Sequence, residues 1–361
     1  MDETDKILTE QVSRNKTPSV QYFYFDQDSI IKSFQMGFAD IAKKKEVDSF
    51  VTYSAYSLTK TFTALAVLQL FAKGTIDINK PVSHYLPDFK YGTEITVKQL
   101  LNHTAGIPNP VPLDWIHSES EHKIFDRDIF FNAIFEKNTK TKSEPNEKFA
   151  YSNLGYVVLG QLIEKVSGKK YEEYVIKNII QKLPVNPEDL TFEVVKNENH
   201  ATGYHKRTSF SYLLLGLFFD KSLFMGEVTG KWRPFKRFYV NGASYGGLIG
   251  TPGAFVTYLQ ELMKTENSLI PDEYRQLLFQ ENLNNKGENT GMCLSWFSGE
   301  LDGNRYIAHA GGGGGYYCEI RIYPDIKQGS VIFFNRTGMS DERFLDKTDR
   351  FLINDLNSMG Q

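Results

Sequence analysis

Cysteine is scarce in this chain: two residues, Cys293 and Cys318, in 361. One pair cannot make a disulfide framework, so free thiols are expected and packed side chains must hold the fold. An excess of one charge is lacking too. Lys and Arg number 41 against 44 Asp and Glu, a net charge of −3, which leaves no electrostatic case for binding nucleic acid. Long hydrophobic runs are missing: the longest, "SYLLLGLFF" at 211–219, is about half of what a spanning helix needs. No internal repeat is present, and the only low-complexity tract is the glycine run at 311–315. The N-terminal "MDETDKILTEQVSRN" is polar and acidic, unlike a signal peptide, which favours a cytoplasmic location. An export signal already removed would leave the same sequence in a periplasmic or secreted protein.

What is present is material for a core. Hydrophobic residues make up 41% and aromatic residues 14%, enough for one large or two medium domains. Residues 3–13 read as a short amphipathic helix. "VQYFYF" (20–25) and "IIKSFQMGFAD" (30–40) read as strands joined by the polar turn "DQDS". A long helix is expected from Ser57 to Gly74, a natural left-handed stop. From 80 to 240 the texture is mostly helical, including helices at 154–167 and 171–182, with proline and glycine punctuation between them. After 240 come a helix in "GGLIGTPGAFVTYLQELMK", strands in "GMCLSWFS", "YIAHA", "YYCEIRIYP" and "SVIFFNR", and a terminal helix from about Asp341. Strands at both ends around a helical middle predict an α/β (α+β) fold with an antiparallel sheet built from both termini. The expected division is a sheet domain of 1–79 and 241–361 and an inserted helical domain of 80–240. Within the insert, 206–240 diverges.

Three motifs carry chemistry. Ser-x-x-Lys is weak by itself, occurring at Ser13/Lys16, Ser29/Lys32, Ser57/Lys60, Ser120/Lys123 and Ser167/Lys170. Ser57/Lys60 differs in opening an apolar helix, which places both side chains on one face about 4.5 Å apart along the axis. Near such a core the charged amine is disfavoured, so Lys60 can take a proton from Ser57. A serine cap followed by a snorkelling lysine would read the same. Tyr151-Ser152-Asn153 also opens a helix, where the phenol could move a proton and the amide could bind a carbonyl. The bare pattern recurs as "YVN" at 239–241, and a plain helix cap explains the first copy equally well. In "YIAHAGGGGGYYCEI", a strand runs into His309-Ala310-Gly311, where glycines permit close approach and exposed N–H groups can hold an oxyanion. A floppy loop is the simpler alternative, and "KQG" at 327–329 reads as a hairpin turn.

Taken in order, these motifs resemble those of the serine β-lactamase and penicillin-binding-protein superfamily, on the branch of class C β-lactamases, family VIII esterases and D-amino-acid peptidases. "ITVKQLLNHTAGIPN", "PNEKFAYSNLGYVVLG" and "ASYGGLIGTPGAF" add to the likeness, which spans roughly 18–340. The resemblance implies Ser57 as nucleophile, Lys60 and Tyr151 as proton carriers, and Asn153 orienting the acyl group. It also implies an oxyanion hole from the backbone N–H groups of Ser57 and Gly312, beside His309 and Gly311, with no cofactor and no metal. His309 stands where β-lactamases keep lysine. That weakens the case for β-lactams and favours an esterase or amidase of small acyl substrates. A D-amino-acid peptidase, a DD-carboxypeptidase, a true β-lactamase and a non-catalytic peptidoglycan-binding or scaffold member stay open. The apolar segment 206–224 could be core, a lip over an acyl pocket, or a peripheral or oligomeric contact. His117/His122 and His200/His205 lack the companions of a zinc site and read as solvated. "NKT", "NHT" and "NRT" fit the glycosylation sequon only in a secreted protein.

Overall fold

The computed structural model describes residues 1–112, 114–207, 221–337 and 343–359. Its centre is a seven-stranded antiparallel sheet. The strand order is Phe297–Leu301, Asn304–Gly313, Tyr316–Tyr323, Gln328–Phe334, Ser19–Asp26, Ile30–Asp40 and Lys45–Glu46. Chain-end strands therefore meet in the middle, where Phe23 pairs with Val331 and Tyr22 with Ile332. Asp26 closes the first hairpin by accepting from the Asp28 and Ser29 amides, the short-range chemistry that "DQDS" promised.

Alternation along the strands sends side chains to two cores. Val20, Tyr22, Tyr24, Ile332 and Phe334 face the terminal helices, Glu3–Ser13 and Leu345–Met359. Phe25, Val331 and Phe333 face the larger core, which contains helices Thr59–Ala72, Asn153–Ser167 and Pro252–Met263. In Thr59–Ala72 every residue from Thr59 to Leu70 is buried, so this helix is apolar all round because it is surrounded all round. Gly74 follows in the left-handed region at φ 71°. Asn153–Ser167 is capped by the Ser152 hydroxyl on the Gly155 amide and ended by left-handed Gly168.

Several local expectations shift. The helix after Tyr171 ends at Asn178, with a single 3-10 turn at Ile180–Lys182. From there to Val240 the described residues form short strands and single turns rather than the helices expected of this stretch. Thus Tyr204–Lys206 pairs with Trp232–Pro234, and Ile116–Ser118 with Phe238–Val240. "GMCLSWFS" is irregular until Phe297, and left-handed Ser295 breaks the strand there. Most of the apolar segment 206–224, namely 208–220, lies outside the described residues, as does Asp341; the terminal helix begins at Leu345. No helix among the described residues is long and apolar enough to cross a membrane.

Candidate active site

The chain enters the Thr59–Ala72 helix through a 3-10 turn, Tyr56–Leu58, that carries Ser57. Tyr56 has φ 44°, a left-handed conformation costing a non-glycine residue of order 1–3 kcal/mol. Tertiary contacts hold it there: its hydroxyl donates to the Gly314 carbonyl at 2.9 Å, and its ring lies flat on Gly313. A Cβ on Gly313 would come within 2.4 Å of that ring, and one on Gly311 within 2.2 Å of the Ala55 carbonyl. Glycine is required at both because the strand end passes flush against the nucleophile turn. The run is not a floppy loop. Its strand continues to Gly313, and Thr337 Oγ1 donates to the Gly313 carbonyl at 2.7 Å and accepts from the Gly315 amide.

Around Ser57 three separated pieces of chain converge. Lys60 Nζ lies 2.9 Å from Ser57 Oγ, and the Tyr151 hydroxyl lies 2.8 Å from the same oxygen. Lys60 Nζ also reaches the Tyr245 carbonyl at 2.7 Å. That carbonyl is available because segment 243–248 docks on the helix, with Thr63 donating to the Ser244 carbonyl and Thr59 accepting from the Leu248 amide. Lys60 is completely buried, and no ion pair among the described residues involves it. Burial alone pushes its amine well below the usual lysine value, toward the neutral form. Burial likewise raises the Tyr151 phenol, while its bond to Ser57 works the other way. The amine sits 5.0 Å from the Tyr151 ring and 5.5 Å from that of Tyr245.

His309 is buried too, its Nδ1 bonded to the Ala310 carbonyl at 2.8 Å. Desolvation above all lowers its pKa to about 3, so it is neutral at physiological pH. Asn153, Ser57 and Gly312 line one cavity of about 310 Å³. A second, of about 560 Å³, shares Gly312, Gly313 and Thr337 with it and opens past Tyr151, His309 and Gly311. A Cβ on Gly312 would meet nothing nearer than 3.9 Å, so this one glycine of the strand end has open space beside it. All seven predicted site residues, Ser57, Lys60, Tyr151, Asn153, His309, Gly311 and Gly312, therefore fall within one locality.

Polar members of two competing motif copies are engaged with other partners. Lys32 pairs with Asp2 and Asp5 at 2.6 and 2.8 Å. Asn241 bonds His117 at 2.8 Å, and Tyr239 stacks on His122. The histidines expected to be solvated are mostly enclosed. His117 is buried between Asn241 and His122, His205 is buried, and His200 sits between Thr52 and Tyr316, because loop packing encloses them. No cluster among the described residues could hold a metal.

His103 is a neighbour that motif reading missed. It is buried, packs tilted against Tyr151 with ring centroids 4.3 Å apart, and accepts the Ser152 amide on Nδ1 at 3.1 Å. Its φ of 57° puts a histidine just past the Val97–Leu101 helix, where glycine or asparagine is usual, and that oddity was its available signal. Tyr245 had no signal for its hydrogen bond to Lys60, which is made by a backbone oxygen.

The family model described as Beta-lactamase matches residues 4–355. The chain belongs to the Beta-lactamase family of serine hydrolases. A curated relative, penicillin-binding protein 4* of Bacillus subtilis, is 25% identical over 318 residues, covering 85% of this chain and 66% of that protein. Protein flp of Staphylococcus aureus is 27% identical over 212 residues, 57% of this chain and 41% of the relative. The chain thus spans from under half to about two thirds of the length of these relatives. Among solved structures, the octameric penicillin-binding protein homologue of Pyrococcus abyssi superposes with TM-score 0.79 at 23% identity, over 98% of this chain and 78% of that one. D-amino acid amidase of Ochrobactrum anthropi gives 0.75 at 20% identity over 99% of both chains. These two likenesses bear on the fold. Within the Beta-lactamase family frame, the antiparallel sheet supplies the glycine strand, and the helical layer supplies Ser57, Lys60 and Tyr151.

Proposed function

We propose that this protein hydrolyses small esters or amides through an acyl-Ser57 intermediate. The observation that carries the reading is the unbroken hydrogen-bond run from Tyr151 through Ser57 to Lys60, ending on the Tyr245 carbonyl. With the amine neutral and the phenol protonated, each group can donate once: Tyr151 to Ser57 Oγ, Ser57 to Lys60 Nζ, and Lys60 to Tyr245. Lys60 takes the hydroxyl proton as Ser57 attacks the substrate carbonyl. Tyr151 then protonates the leaving group and receives a proton from the water that cleaves the acyl-enzyme. The backbone N–H groups of Ser57 and Gly312 act as the oxyanion donors, a task for which separate elements must meet. Asn153, whose Oδ1 has no hydrogen-bond partner among the described residues, orients the acyl part.

Neutral His309 supports esters and amides without a carboxylate beside the scissile bond, in place of β-lactams or C-terminal D-Ala peptides. The intact set also argues against a purely binding or scaffolding role, which would need none of the three proton carriers. Covalent labelling by a fluorophosphonate, located by mass spectrometry, tests the reading. Label on Ser57 is expected, with p-nitrophenyl butyrate hydrolysed and nitrocefin and D-Ala p-nitroanilide lagging. Ser57→Ala should abolish both label and turnover, and Tyr151→Phe should slow turnover by about 10²–10⁴-fold. Full activity in Ser57→Ala would end the assignment.

A further inference from the structure

The cavity that holds Ser57, Asn153 and Gly312 is walled by rings and branched aliphatic side chains. Trp115, Ile116, Phe235, Phe238, Val240 and Tyr245 form its sides, and Asn153 and Thr337 bring uncharged polar groups. Among the described residues no Asp, Glu, Lys, Arg or His lines it. The wall is stiff. Trp115 packs edge-on against Tyr245 and Phe131 at 5.8 and 5.3 Å, and its carbonyl accepts from the Asn241 amide. Ile116 and Val240 are opposite each other in a two-stranded ribbon, so both branched side chains enter the wall from one small sheet. The second cavity is bordered by Phe149, Phe297 and Tyr317, and its one histidine, His309, donates to a backbone carbonyl. Among the described residues neither flank of the nucleophile presents a counter-ion, so a carboxylate or ammonium on the substrate would be desolvated without a partner.

Resting on the acyl-Ser57 reading, we infer that the substrate is an uncharged ester or amide whose acyl half ends in an aromatic or branched apolar group, seated against Trp115 and Phe238. The volume of about 310 Å³ lies at the lower end of small-molecule pockets and suits one ring with a short linker. Acylation forms the bond from Ser57 Oγ to the acyl carbon and releases the protonated alcohol or amine. Water then returns the free acid and the serine hydroxyl.

The test compares p-nitrophenyl acetate, phenylacetate and hemisuccinate on the full chain, each kcat/KM divided by that ester's rate of alkaline hydrolysis. Phenylacetate should exceed acetate and hemisuccinate by about 10–100-fold. Phe238 is only half-buried, so Phe238→Lys should fold and should move the hemisuccinate-to-phenylacetate ratio upward by at least about tenfold. Phe238→Leu, which keeps the wall apolar, should leave that ratio near its starting value. Equal normalised rates for the three esters in protein that still takes fluorophosphonate on Ser57 overturn the inference and leave the hydrolase reading standing. So does a ratio unmoved in a folded Phe238→Lys protein. Absence of fluorophosphonate reaction overturns both.

Discussion

Ionisable side chains are buried on both faces of the sheet, but under opposite arrangements. On the face toward the terminal helices, Arg321 pairs with Glu319 at 2.8 Å and Asp346 at 2.7 Å and lies 4.0 Å over the Tyr306 ring. Asp349 nearby accepts from Tyr22, Tyr323 and Ser330. On the face toward Ser57, Lys60, His103 and His309 are buried with neutral partners alone. The first set meets its charges with opposite ones; in the second nothing opposite stands against them, and burial disfavours the charged forms. A buried pair holds structure together. A buried group with no opposite charge is instead a proton acceptor in waiting, and here three stand within one locality.

The sharpest way to break this contrast is to remove one basic side chain from each face. Lys60→Met should lower esterase turnover by at least about 10²-fold, as loss of a general base does, while leaving the folded state as stable or more so. Arg321→Met should do the reverse. It strands the buried Glu319 carboxylate beside the partly exposed Asp346 and should cost about 3–5 kcal/mol in denaturant unfolding, with activity per folded molecule retained. If Arg321→Met abolished turnover in folded protein, the division between the faces would be wrong.

The pH dependence of stability should carry both signatures with opposite signs. Desolvation lowers His309 from the usual 6.5 to about 3, so between those values the unfolded chain binds the extra proton and stability rises with pH. Glu319 is raised from 4.5 to about 7 by burial, against the pull of Arg321, so there the folded chain binds the extra proton and stability falls as pH rises. Each contributes a slope of up to about 1.4 kcal/mol per pH unit within its window. Chemical denaturation from pH 4.5 to 6.5 should therefore turn steeper upward in Glu319→Gln and flatter or downward in His309→Asn. Matching slopes in the two variants would contradict the assignment. The smallest effect concerns the buried thiols. Cys318 bonds the Ala55 and Gly311 carbonyls, and burial raises it and Cys293. Neither should react with a thiol reagent at pH 8 until denaturant is added.

Much of the frame was legible residue by residue. Aromatic and β-branched composition bounded by turns in "VQYFYF" and "SVIFFNR" gives strands, an Asx turn closes "DQDS", and Ser152 and Gly168 mark the ends of one helix. Ser57 and Lys60 were separable from four other copies because only theirs opened a wholly apolar helix. The stretch 179–240 was less legible, since its short strands are held by partners far away in sequence, as Ile116 is by Val240. His103 hid behind an ordinary helix end, and Tyr245 contributes an oxygen that every residue owns.

By itself the amino-acid order determined which alcohol, amine and phenol were available and which helices and strands would carry them, because caps, turns and periodicity act over a few residues. Only the tertiary structure decided that Lys60 is pushed toward its neutral form and that His309 is uncharged. A protonation state depends on how much water and opposite charge surround a group. Here those surroundings come from Tyr151 and Tyr245, brought to Ser57 and Lys60 from 94 and 185 residues along the chain.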